Sequence, residues 1–196
     1  MKLLFLTLCF CVALPLCSQT NDKIELWPGL VPGETGAKHE AVQTDNTGGD
    51  VVRLTDVTNP ILEVFTPREG ESNGYSMIVC PGGGYHILAI NKEGYEVAEW
   101  LTTLGYTAFV LQYRVPDKKE EALMDAQRAI RVVRSQAEKW QIDPGRIGIM
   151  GFSAGGSLSA RVSTLYNKLA YTPIDDADKL SCRPDFTALI YPAYLD

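Results

Sequence analysis

Twice in this chain a short apolar run breaks off at a cluster of glycines. YSMIVC runs straight into PGGGY, and RIGIM runs straight into GFSAG. An apolar run without polar alternation reads as a strand buried on both faces, and such strands belong to parallel sheets covered by helices. A glycine cluster at its end lets the backbone turn sharply where a Cβ would block it. The two junctions restrict the chain to a sheet with helices packed on both sides. In such sheets, groups that do chemistry collect at the carboxyl ends of the strands.

The segments between and around these junctions alternate accordingly. Residues 93–105 read as a helix with Val97, Leu101 and Leu104 on one face, terminated by Gly105. TAFVLQYR reads as a strand. Residues 117–140 read as the strongest helix: Leu123, Ala126, Ile130, Val133, Ala137 and Trp140 recur at steps of three and four. Asp117 is its expected N-cap, with Glu120 three residues on. A helix over 154–166 and a strand at DFTALIY follow. Upstream, VVRLTDV and ILEVFTP read as a half-exposed antiparallel pair. Residues 21–50, rich in Gly, Pro and polar side chains, read as an extended arm lying over the domain. The expected architecture is therefore α/β: a mostly parallel sheet with an N-terminal antiparallel pair. A chain of 196 residues, 45% hydrophobic, can bury one such core without a disulfide or metal staple.

MKLLFLTLCFCVALPLC has a short positive start and an apolar run too short to span a membrane comfortably, the pattern of a secretory signal. The expected division is a signal peptide at 1–18, an arm at 19–49 and the α/β domain at 50–196. The expected location is secreted or periplasmic, with lipid attachment at Cys17 as the alternative and no membrane-spanning segment after processing. A net charge of -6 without a basic run argues against a nucleic-acid partner. Cys80 ends one strand and Cys182 precedes another, so parallel strands would put them at opposite ends of the sheet. Two free, buried thiols are expected.

GFSAG matches G-x-S-x-G between a strand and a helix. There Ser153 takes a strained backbone that lifts its hydroxyl above the sheet, and the helix N-terminus favours negative charge nearby. PGGGY can present bare amides to the same hollow. The N–H of Ala154 and those of Gly83 and Gly84 are candidate donors to an oxygen that becomes negative during acyl transfer. Tyr85 and His86 are candidates to line the site. No spacing fits a zinc site or a phosphate loop, so no metal and no cofactor is implied.

With these motifs the chain resembles the α/β-hydrolase esterases. More narrowly, LWPGLVPG, VTNPILEVFTP, CPGGGYHILAINKEGYEVAEWL, DAQRAIRVVRSQA, IDPGRIGIMGFSAGG and RPDFTALIYPAYLD are similar to secreted bacterial acetylxylan or feruloyl esterases. The resemblance implies a serine ester hydrolase that forms an acyl-enzyme on Ser153, with an acylated polysaccharide or oligosaccharide as substrate. A peptidase or dienelactone-type hydrolase on the same fold stays open, as does a non-catalytic carbohydrate-binding or scaffolding derivative. Relatives tend to carry histidine where this chain has Ser157.

Ser153 needs a base and an acid. The chain holds two histidines, His39 and His86, and both precede the serine. His39 reads as a surface residue. Asp175, Asp176 and Asp178 read as a solvated loop, Asp185 as the wrong end of its strand, and Asp196 as a weak candidate acid at the correct end. The expectation is that the fold is incomplete at its C-terminus, with acid and base beyond residue 196 and the 196 residues alone nearly inactive.

Overall fold

The computed structural model describes residues 22–45 and 48–195. The elements in chain order are β1 (Lys23–Glu25), β2 (Val42–Gln43), β3 (Arg53–Thr55), β4 (Ile61–Phe65), β5 (Ser76–Cys80), β6 (Leu88–Ala89), α1 (Glu96–Thr103), β7 (Thr107–Gln112), α2 (Lys119–Ser135), β8 (Ile147–Phe152), α3 (Ala154–Thr164) and β9 (Phe186–Ile190). Six strands form the main sheet in the order β1-β4-β7-β5-β8-β9, and β2, β3 and β6 form a small second sheet. β4 runs antiparallel to both β1 and β7, while β7, β5, β8 and β9 are mutually parallel.

The uninterrupted apolar runs do bury both faces. Ile78, Phe109, Leu111 and Ile149 point to one side, where α2 and α3 pack through Ala126, Ala129, Ile130, Val133 and Leu158. Met77, Val79, Ala108 and Val110 point to the other, where α1 packs through Ala98 and Leu101. Each such side chain contributes about 1.5–3 kcal/mol when fully buried. Leu104, expected on the buried face of α1, is 49% exposed. The helix has already ended there: Tyr106 N–H donates to Leu101 O at 3.1 Å and Gly105 N–H to Thr102 O at 3.0 Å, with Gly105 at φ 84°. This is the left-handed glycine termination that the sequence suggests.

Three readings of the sequence are corrected. The expected antiparallel pair of 51–57 with 61–67 does not form: β3 pairs with β2 and β6, and β4 lies between β1 and β7. Glu63 gave β4 a half-exposed look. Its carboxylate is instead buried and accepts from Tyr95 Oη at 2.7 Å and from Gln112 Nε2. The second correction concerns α2, which begins at Lys119 without a side-chain cap and ends at Ser135. Asp117 turns away at φ 56°, its Oδ1 3.1 Å from His86 Nδ1. The third is the arm. It supplies the edge strand β1, and Leu26 and Trp27 are fully buried. Trp27 packs edge-to-face on Tyr171 with ring centroids 4.8 Å apart.

The loop at 175–178 is only partly solvated. Arg128 donates to both oxygens of Asp175, at 2.7 and 2.5 Å, and lies 3.0 Å from Asp178 Oδ1. Asp178 is buried and also accepts from Tyr171 Oη at 2.5 Å. Hydrogen bonds from Arg128 hold the Asp175 carboxyl below the usual carboxylate range. Cys80 and Cys182 are free and buried, as expected. Burial pushes the Cys80 thiol up to about 12. No helix of the described residues is long and apolar enough to cross a membrane.

Candidate active site

Register brings the two glycine junctions together. In the β5/β8 ladder Ser76 faces Ile147 and Cys80 faces Gly151, so both strands end level and their turns leave the same edge of the sheet side by side. A Cβ built on Gly82 would lie 3.0 Å from Ser153 Cβ, so the two turns touch.

Ser153 is the single residue between β8 and α3. It has φ 49° and ψ -115°, a conformation that costs a residue with a Cβ about 1–3 kcal/mol. The surroundings hold it there. Its N–H donates to Ile190 O at 3.1 Å, and its carbonyl accepts from Ser157 N–H and Ala193 N–H, each at 3.0 Å. The hydroxyl does not cap the helix. A Cβ on Gly155 would sit 2.1 Å from Cys80 O, so only glycine lets α3 begin this close to β5. Gly155→Ala is therefore expected to lower stability by about 1–3 kcal/mol or more, since backbone atoms must move. Thermal unfolding beside the parent protein measures it, and an unchanged Tm would contradict the close approach.

The facing turn is shaped by Gly83 at φ 141°, where a Cβ would strike Ile87 O at 2.0 Å. Gly83 O accepts from His86 N–H at 3.0 Å and from Ile87 N–H at 3.1 Å, and Gly82 O accepts from Ala89 N–H at 2.9 Å. Gly82 N–H donates to Glu93 Oε2 at 2.7 Å. The N–H groups of Gly83, Gly84 and Ala154 donate to nothing among the described residues. Gly83, Gly84 and Ser153 are partly open to solvent, while Ala154 is buried.

Of the flanking residues, Tyr85 departs from expectation. Tyr85 is buried at φ 62° and does not line the surface. Its hydroxyl donates to Ser157 Oγ at 3.2 Å, and its ring packs against Tyr113 and Tyr194. Ser157 Oγ donates onward to Tyr194 O at 3.2 Å, so this serine braces the segment after β9. His86 is exposed and paired with Asp117, with Cδ2 3.5 Å from the point a Gly84 Cβ would occupy. His39 Nε2 lies 3.4 Å from Asp56 Oδ2 at the surface. Neither imidazole is hydrogen-bonded to Ser153. Asp185 binds Ile147 N–H at 2.9 Å and Arg134 at 3.0 Å, at the far end of the strands. The expectations on residues 1–18, Cys17 included, and on Asp196 lie outside the described residues.

Two residues near the site are not singled out by the sequence. Glu93 reaches Gly82, and Tyr191 Oη donates to Glu93 Oε1 at 2.5 Å. Glu93 looked like the first turn of a helix. The only local hint was the glycine after it, inside an otherwise helical pattern. Among the described residues no group of three or more His, Cys, Asp or Glu is placed to hold a metal ion.

A mixed sheet helix-covered on both faces, with a serine on a left-handed corner between strand and helix, defines an α/β-hydrolase. Residues 62–183, more than half of the chain, match the BD-FAE family, and the chain belongs to it. It is 38% identical over 142 residues to an acetylxylan esterase of Xylanibacter ruminicola, an alignment covering 72% of this chain and 27% of the relative. It is 37% identical over 122 residues to endo-1,4-beta-xylanase B of Butyrivibrio fibrisolvens, covering 59% of this chain and 19% of the relative. Among solved structures, an acetyl ester-xyloside bifunctional hydrolase from Caldicellulosiruptor lactoaceticus superposes with a TM-score of 0.67 at 36% identity, over 88% of this chain and 57% of that one. The chain thus spans about a quarter or less of those two curated relatives and little more than half of the solved one.

Proposed function

We propose that the protein is an exported serine carboxylic-ester hydrolase that removes acetyl or feruloyl groups from plant polysaccharide. The observation that carries the reading is the contact of two corners: Ser153, strained and not used as a cap, abuts a turn whose free N–H groups border the same edge. The similarity to an acetylxylan esterase and to an acetyl ester-xyloside hydrolase supports the substrate class.

In this mechanism Ser153 Oγ attacks the acyl carbon while a general base takes the hydroxyl proton. The carbonyl oxygen becomes negative and is held by the N–H of Ala154 and those of Gly83 and Gly84. Collapse expels the sugar hydroxyl, which leaves with the proton, and an acyl-enzyme remains on Ser153. Water then attacks the acyl-enzyme and releases the acid. Neither His39, paired with Asp56, nor His86, paired with Asp117, is hydrogen-bonded to Ser153.

The test uses the protein that carries this chain. It is expected to release acetate from acetylated xylo-oligosaccharides, and a fluorophosphonate probe is expected to leave one adduct, on the peptide containing Ser153. Acetate release with the adduct on another residue would overturn the assignment. Absence of both activity and adduct in folded protein would overturn the hydrolase reading itself.

A further inference from the structure

Three glycines in a row offer no side chain by which a turn can be held, so its shape must be imposed from outside. We propose that Glu93 is the positioning residue of this turn, a role that rests on the ester-hydrolase reading of the site. One carboxylate oxygen accepts from Gly82 N–H at 2.7 Å and the other from Tyr191 Oη at 2.5 Å. Glu93 therefore joins the glycine turn to the segment that follows β9, and Ser153 is bonded to that same segment through Ala193 and to the last residue of β9, Ile190. Glu93 Oε2 and Ser153 Cβ both border the point a Gly82 Cβ would occupy, at 2.6 and 3.0 Å.

The backbone around Glu93 is shaped for this reach. Asn91–Tyr95 is a wide π-type turn ahead of α1, with Tyr95 N–H donating to Ile90 O at 2.9 Å. Such turns are uncommon and frequent at functional sites. Asn91 pins its start, accepting from Val52 N–H and donating to Asp50 O, both at 2.7 Å. Gly94 brings the turn against Pro81, where a Cβ would lie 3.3 Å from the proline ring and 3.0 Å from Val110. Tyr191 is a donor at neutral pH, and partial desolvation followed by the neighbouring Glu93 carboxylate pushes its phenol up to about 12.

Glu93 thus acts through Gly82. By taking that N–H it fixes the peptide planes that follow, leaving those of Gly83 and Gly84 free for the oxyanion. Both of its oxygens are occupied by donors, which makes it a clamp and not a base. An amide can replace it, because Gln offers an oxygen of the same reach to Gly82.

The experiment compares Glu93→Ala, Glu93→Gln and Tyr191→Phe in the protein that carries this chain. Kinetics on p-nitrophenyl acetate are read together with hydrogen exchange of the Gly82 amide. Glu93→Ala is expected to lower kcat about 100-fold, the scale of losing one oxyanion donor, with KM within about threefold. Glu93→Gln is expected to recover to within about tenfold of the parent kcat. Tyr191→Phe, which keeps the Gly82 bond, is expected to stay within about tenfold as well. The Gly82 amide should exchange on the order of 100-fold faster in Glu93→Ala, and no faster than about threefold in Glu93→Gln. Unchanged Gly82 exchange, a kcat loss under about threefold, equal losses in the Ala and Gln variants, or a loss confined to KM would each overturn the role. A parent protein that turns over no ester overturns the hydrolase reading and not the clamp, which Gly82 exchange then decides alone.

Discussion

Ser153→Ala in the protein that carries this chain is expected to lower ester turnover by on the order of 10³- to 10⁶-fold, with Tm changed by less than a few degrees. The size follows from what the hydroxyl supplies. Without a nucleophile no acyl-enzyme forms, and only binding and the oxyanion donors remain to assist water. The proposed donors are backbone groups of Gly83, Gly84 and Ala154, which alanine leaves in place. The small stability effect follows from what the hydroxyl does not do. It caps nothing, and alanine at φ 49° carries the same Cβ strain as serine. The elbow is held by main-chain bonds to Ile190, Ala193 and Ser157, none of which involves the side chain. Steady-state rates on p-nitrophenyl acetate and on acetylated xylo-oligosaccharide, with thermal unfolding alongside, measure both halves. A variant that keeps more than a tenth of the parent rate would remove Ser153 from the chemistry.

Some of this site is local in the chain and some is not, and that difference sets what the sequence discloses. The elbow is legible because strand, corner and helix are contiguous, with glycines marking where backbone passes backbone. The parallel core is legible because YSMIVC, TAFVLQ and RIGIM have no polar alternation to misread. The place of β4 is not legible, because the burial of Glu63 depends on Tyr95 and Gln112, 32 and 49 residues away. The arm was misread through its glycines and prolines, which conceal that Leu26 and Trp27 are core residues. Glu93 left no trace because its partners, Gly82 and Tyr191, lie 11 and 98 residues away, and a carboxylate bonded to a distant main-chain N–H has no periodicity. The same holds for Tyr85: composition marks an aromatic beside a glycine turn, but not that its backbone sends the ring inward.

Asp125→Ala is expected to destabilise the fold by about 3–5 kcal/mol, a large part of the 5–15 kcal/mol that holds a typical domain together. Asp125 and Arg114 are both fully buried, with Arg114 Nη2 2.9 Å from Asp125 Oδ1. The carboxylate also accepts from Arg114 Nε at 2.9 Å, from Arg114 N–H at 3.0 Å and from Trp27 Nε1 at 2.9 Å. Burial raises the Asp125 carboxyl above its ordinary range even though Arg114 and Trp27 pull it down. A buried ion pair of this kind adds little net stability over an apolar pair of the same volume. Its members are nonetheless costly to separate. Alanine leaves a guanidinium in the core facing the carbonyls of Pro32 and Glu121, Met124 Sδ at 3.8 Å and the Glu34 carboxylate 3.7 Å away, with no close counter-charge. It also leaves the Trp27 indole N–H without its acceptor. For a chain of this length that loss corresponds to a Tm lower by roughly 6–20 °C. Replacing both partners, Arg114→Met with Asp125→Leu, removes the buried charge along with its counter-charge, and is expected to recover at least half of the loss. Chemical denaturation of the single and double variants separates the two effects. A single variant within about 1 kcal/mol of the parent would show that water reaches Arg114 and that the core between β7, α2 and the arm is not closed.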